Sequence, residues 1–166
     1  MDFKFLMPQD FALGRKILGS WRDPDFTISP SGTPYLYRWY IIPRNEISNI
    51  YFHIQVSDDF GREMHDHPYD NCSVILAGGY WEYFDRYPTS GTISNHISVP
   101  RNPGDVIFRP ATAAHRLVLL DRPYSMSLFI TGPKIRDWGF WTPNGFVPHE
   151  QWTVNEHGTS KLRNPS

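Results

Sequence analysis

From residue 35 onward the chain is a succession of short apolar or alternating runs separated by turn formers, the pattern of strands. The runs predict strands over 35–42, 50–56, 72–77, 80–87, 93–99, 106–109, 115–120 and 124–130. Gly78-Gly79 between two of them predicts a two-residue hairpin loop, where glycine supplies the positive φ of a tight turn. That loop would pair Ala77 with Tyr80, Ile75 with Glu82 and Ser73 with Phe84. Upstream, Asp10 caps a predicted short helix over 11–18 that Gly19 ends. Residues 19–31 read as turns, with Pro24 and Pro30 among them. After Thr131 the segment 138–145 reads as an aromatic-rich loop, and residues from about Glu156 read as frayed. The class is all-β, a sandwich or barrel with a short N-terminal helix. No linker or repeat divides residues 1–166, so one domain is expected, its core over about 35–131.

Composition narrows the function classes. With 20% charged and 40% apolar residues the chain is an ordinary globular one. A net charge of −1 gives no electrostatic case for nucleic acid or an anionic membrane. Cys72 is the only cysteine, which excludes a disulfide framework or thiolate cluster and points to a reducing, cytoplasmic setting. The segment Met1-Asp2-Phe3-Lys4 lacks the long apolar run of a signal peptide or membrane span. Aromatics at 16% fill a β core by default, but they also suit a ligand cavity or a homodimer interface.

The chemistry concentrates in His65-Asp66-His67-Pro68-Tyr69-Asp70 and the distant His115. Histidines at i and i+2 on a strand point the same way, and a third from another strand completes a facial set of nitrogens for one divalent ion. Met64 and Asp66 then face the opposite way. A fourth, oxygen ligand could be Glu82, if its strand face turns inward, or Asp70, which serves equally well as a histidine partner or an Asx-turn acid. Asn71, Ser73 and Tyr80 share the face of Glu82, and Arg109 ends a strand where its fork could hold a substrate carboxylate or phosphate. Arg116 alternates away from His115. Tyr51, His53 and Gln55 share a face that is either a set of supporting donors or a polar exterior. Arg62 and Glu63 precede the histidines in a turn, while His96, His149 and His157 lack ligand spacing.

These residues resemble the two motifs of the cupins. The first motif is a glycine, five residues, His-x-His, three or four residues, a glutamate, six residues and a glycine. His65, His67 and Gly78 match it; Asn71 stands at the glutamate position, and Gly61 lies too close to His65 for the opening glycine. The second is a glycine, five residues, Pro-x-Gly-x-x-His, three residues and an asparagine. Gly104, Pro110 and His115 match, with Thr112 and Leu119 at the second glycine and the asparagine. The resemblance implies a double-stranded β-helix, the cupin jelly-roll barrel. A narrower likeness is to cysteine dioxygenases, cupins with a three-histidine iron and no glutamate ligand. There a cysteine follows the second histidine of the pair after four residues, as Cys72 follows His67, and a glycine stands where Gly79 does. That likeness leaves Cys72 as either a cross-linking thiol or a small core hydrophobe.

The first functional expectation is therefore a mononuclear Fe(II) oxygenase or dioxygenase acting on a small organic substrate, with Phe84, Tyr80 or the 138–141 segment excluding water. The second is a metal-assisted isomerase, lyase or hydrolase, using zinc, manganese or nickel with Glu82 as the proton-transfer group. The third is a non-enzymatic binding or structural protein.

Overall fold

The computed structural model describes residues 3–30, 32–59, 61, 63–84, 97–142, 144–154 and 160–162. Two six-stranded antiparallel sheets hold the functional cavity between them. The first runs β1 (Phe26–Ile28), β2 (Leu36–Tyr40), β3 (Asn49–Gln55), β10 (Ser125–Thr131), β5 (Asn71–Ala77) and β8 (Val106–Arg109). The second runs β12 (Gly145–Pro148), β11 (Gly139–Thr142), β4 (Met64–His65), β9 (His115–Leu119), β6 (Tyr80–Phe84) and β7 (Ile97–Arg101). Sequence-adjacent strands repeatedly fall in different sheets, as a jelly roll requires.

The first sheet is buried on both faces. Period-two alternation sends Trp39, Phe52, Ile54 and Met126 outward, where Phe3, Leu6 and helix α1 (Pro8–Leu18) seal them into an aromatic core. The other face of β3 turns His53 and Gln55 toward the cavity, and Tyr51 is buried beside them. A polar exterior for these three residues is thereby corrected, because the helix covers what would have been the outer surface.

Helix α1 starts at Pro8, not at a capping Asp10. Pro8 needs no N–H in the first turn. Asp10 is buried and accepts hydrogen bonds from Arg122 Nη1 at 2.5 Å and Tyr124 Oη at 2.7 Å. Among the described residues no helix is long and apolar enough to cross a membrane.

The Gly78-Gly79 hairpin is not present. β5 pairs with β10 and β8, whereas β6 pairs with β7 and β9, so the two glycines form a corner between sheets. Both have positive φ, 69° and 136°. A Cβ at Gly78 would lie 2.0 Å from Tyr124 O, and one at Gly79 2.3 Å from Arg101 O. Close backbone approach, rather than hairpin geometry, requires glycine here. The predicted cross-strand pairs fall with the hairpin; Glu82 opposes Leu117 and Val99 instead.

The C-terminal segment is also more ordered than a loop. β11 and β12 form a hairpin that joins the second sheet through β4, and β13 (Trp152–Val154) pairs with β14 (Ser160–Leu162), inside the stretch expected to fray. β1 falls within the segment read as turns. Of the expected strand over 93–99, residues 97–99 belong to β7 and the rest lie outside the described residues, as do Arg62, His96 and His157.

Candidate metal centre

His65 and His115 are directly opposed across the β4–β9 pair, and His67 follows two residues after His65. Their three rings sit 4.9 to 5.1 Å apart, centroid to centroid. One nitrogen from each falls within 4.8 Å of the others, and among the described residues this trio alone forms such a ligand group. The Nε2 atoms of His67 and His115 are 3.0 Å apart. Two nitrogens about 2.1 Å from one ion and at right angles to it have that spacing.

Protonation favours the same use. Burial and the neighbouring imidazoles push His67 well below the ordinary histidine range. Burial lowers His115 to about 4, against the opposing effect of the hydrogen bond its ring donates to Glu82. Both rings are therefore neutral at pH 7 with a lone pair to give, the state a divalent ion needs. The donor set fits such an ion.

The other ring nitrogens are anchored by acids. His115 Nδ1 lies 2.8 Å from Glu82 Oε1, which fixes the ring so that Nε2 faces the other two histidines. His65 Nδ1 lies 3.5 Å from Asp59 Oδ2. Asp59 is itself held by the Leu117 N–H at 2.7 Å and by the Tyr35 hydroxyl, which donates to its other oxygen.

Glu82 is 2% exposed and stands behind the cavity wall. Arg109 Nε donates to Oε1 at 2.5 Å and Arg101 Nε to Oε2 at 2.7 Å. Burial alone would raise its carboxyl, but the bonds from His115 and Arg109 hold it well below the usual carboxylate range. A permanently ionised acid with both oxygens engaged is a poor proton carrier. The reading of Glu82 as fourth ligand or proton-transfer group is corrected to that of an anchor for His115.

The remaining expected residues divide. Ser73 and Tyr80 line the cavity. Arg109 is buried behind them, its Nη1 bonding Ser73 Oγ at 2.9 Å and its Nη2 reaching Tyr80 Oη at 3.4 Å, so it holds the wall and does not offer its fork to a ligand. Asn71 is buried off the cavity, with Nδ2 on Tyr69 O at 3.4 Å. Asp70 is exposed and accepts from the Ala111 N–H at 2.7 Å, a loop tie away from the triad. Cys72 is a free buried thiol that alternates away from Ser73 and the cavity, a core residue and not a partner of the site. Arg116 lies over the Tyr83 ring, away from the cavity as alternation requires. Phe84 is the backbone partner of His115 and lines no part of the cavity.

Asp66, between the two ligands, points the other way and is fully buried. It accepts from Arg136 Nη1 at 2.6 Å, Gly139 N at 2.9 Å and Trp141 Nε1 at 3.1 Å. The acid so clamps the C-terminal hairpin onto the strand that carries the histidines. Trp138 and Phe140 from that segment line the cavity, and His149 joins them, its ring stacked on Trp138 at 4.6 Å.

The triad opens onto a cavity of about 570 Å³ with mainly apolar walls, room for a small organic molecule. Tyr35, Arg38, Asp59 and His149 border it, and the sequence reading passed over all four in this role. Their only sequence signal is weak: Arg38 is an arginine among aromatics in a strand, where an outward side chain is the default.

No known family's sequence profile matches the chain, and no curated protein does. Solved structures do align with it. A DMSP lyase, DddQ from Ruegeria pomeroyi DSS-3, aligns with a TM-score of 0.50 at 17% identity, over 76% of this chain and 62% of its own. The chain thus spans less than two thirds of that lyase's length. The EutQ protein of Clostridium difficile aligns at 0.49 and 12% identity, over 70% of this chain and 84% of its own. KdgF from Halomonas sp. aligns at 0.44 and 15%, over 67% and 96%. At such identities the likeness is one of fold, and the fold is the cupin jelly roll.

Proposed function

We propose that the protein is a mononuclear metal enzyme acting on a small organic substrate, with His65, His67 and His115 holding one divalent ion. The observation that carries this reading is the convergence of three imidazole nitrogens within 4.8 Å at the wall of a cavity. Such an ion would supply Lewis-acid polarisation of a substrate oxygen or, as Fe(II), redox chemistry. The protein's own groups do the rest. Glu82 and Asp59 orient His115 and His65, and Trp138 and Phe140 keep water from one side of the cavity.

Within that class, proton-transfer chemistry of the lyase, isomerase or hydrolase kind has a specific support. Tyr35 Oη donates to Asp59 beside the triad. Burial holds the Tyr35 phenol well above 10, so it stays protonated at neutral pH. As Tyr35 Oη takes a proton from substrate it can pass its own to Asp59. The DMSP lyase that shares the fold is named for a reaction of this kind. Replacing Tyr35 with Phe should then abolish anaerobic turnover of carbonyl and carboxylate substrates while sparing metal content; full activity would sink the relay.

The second reading is a non-haem Fe(II) dioxygenase, favoured by a donor set of three imidazole nitrogens without a carboxylate, which leaves positions for substrate and oxygen. Oxygen uptake by the iron-loaded protein with thiols, diketones or aromatic acids would support it. Turnover in strict anaerobiosis would rule it out.

A further inference from the structure

Arg38 sits on β2, where alternation turns Leu36 and Arg38 toward the cavity and Tyr37 and Trp39 into the aromatic core. The side chain is pinned in place. Its Nε donates to His53 Nε2 at 2.8 Å, the residue opposite it on β3, and its guanidinium carbon lies 4.6 Å from the centre of the Tyr51 ring. His53 can accept because burial and the Arg38 charge keep its imidazole neutral. That bond uses one nitrogen. Among the described residues, neither Nη group of Arg38 has an acceptor or a carboxylate partner. A fixed guanidinium on a mainly apolar wall is unfavourable until an anion pairs with it.

The surroundings add to this. Among the described residues the lining holds Arg38 and Asp59, and behind the wall Arg101 and Arg109 share the single carboxylate of Glu82. Arg38 and the three histidines line the same cavity. The Phe129 ring contacts both His53, the partner of Arg38, and His67, and Tyr69 stacks on His67, so an apolar body has aromatic faces to lie against.

We propose that Arg38 is an anion-binding subsite, and that the substrate is a small organic anion with an apolar body. Its carboxylate or phosphate group takes the two Nη groups of Arg38 as a two-pronged pair while its reactive end reaches His65, His67 and His115. Only the identity of that reactive end rests on the metal-enzyme reading. The subsite stands on the arginine's geometry.

The test titrates benzoate, phenyl phosphate and the neutral benzamide into the full-length cobalt-loaded protein and its Arg38→Met variant by calorimetry. The wild type should bind at least one of the anions about tenfold or more tighter than benzamide, and Arg38→Met should lose that preference while keeping its melting temperature. The anion whose affinity falls more identifies the head group. Two outcomes overturn the proposal: neither anion outbinds benzamide, or Arg38→Met retains the preference. If Arg38→Met does not fold, Arg38→Lys replaces it. Lysine cannot form the two-pronged pair, so the preference should fall about fivefold, and an unchanged preference overturns the subsite. Cobalt stoichiometry in the same samples judges the metal reading separately. Anion selectivity that depends on Arg38, in protein that takes up no cobalt, sustains the subsite and removes the metal.

Discussion

Each imidazole of the triad is only as well aimed as its other ring nitrogen. For His115 that nitrogen meets Glu82, which two arginines in turn hold in place. Glu82→Ala frees the ring and leaves two guanidiniums without their counter-charge. It should lower metal affinity about 10- to 100-fold, read by chelator competition. It should also lower unfolding free energy by about 3–5 kcal/mol, read by urea denaturation. Wild-type values in both would remove Glu82 from this role. A pH dependence follows from the same residues. His115 titrates near 4 when folded and near 6.5 when unfolded. Between those values the unfolded chain binds a proton that the folded chain refuses, so stability falls as pH drops through the window. His115 alone accounts for up to about 3 kcal/mol, and the depressed His67 and His53 act in the same direction. Urea midpoints at about pH 7 and about pH 5 measure it; equal midpoints would contradict it. The triad was legible in the sequence because two ligands are neighbours at strand spacing and the third follows Pro110 in a recognisable order. Asp59 and Arg38 were not, since nothing in their local sequence states which distant strand they will face.

At the scale of elements, the Gly78-Gly79 corner shows where local reading reaches its limit. Two glycines between two apolar runs have the same turn chemistry in a hairpin and in a crossing between sheets, and only the long-range pairing of β5 with β8 and β10 decides. The side-chain parity survived the error, so Ser73 and Tyr80 still reached the cavity. Because a Cβ at Gly78 would meet the Tyr124 carbonyl at 2.0 Å, Gly78→Ala should cost about 2–4 kcal/mol in denaturant unfolding. A cost under about 0.5 kcal/mol, typical of surface positions, would show that the corner is slack. The C-terminal hairpin was hidden for a different reason. Its strands are four residues each and gain their place through Asp66, Arg136 and Trp141, contacts made across some seventy positions of sequence.

For the molecule as a whole, the two sheets do different work. The first is covered on its outer face by Phe3, Leu6 and α1, which pack on its own Trp39 and Phe52, and it forms the wall from which Arg38, His53 and Ser73 project. The second carries all three histidines on β4, its continuation and β9, with Asp66 clamping the C-terminal hairpin behind them. The jelly roll was legible from strand count and motif spacing, while the helix-covered face was not, because Tyr51, His53 and Gln55 alternate as an outer surface would. The most direct measurement is the divalent metal content of the purified protein after loading and removal of free ion, beside that of His115→Ala. The account predicts about one ion per chain in the wild type, with a rise in melting temperature on loading, and little or none in the variant. A wild type that binds no ion, or a variant that binds it equally well, would contradict it.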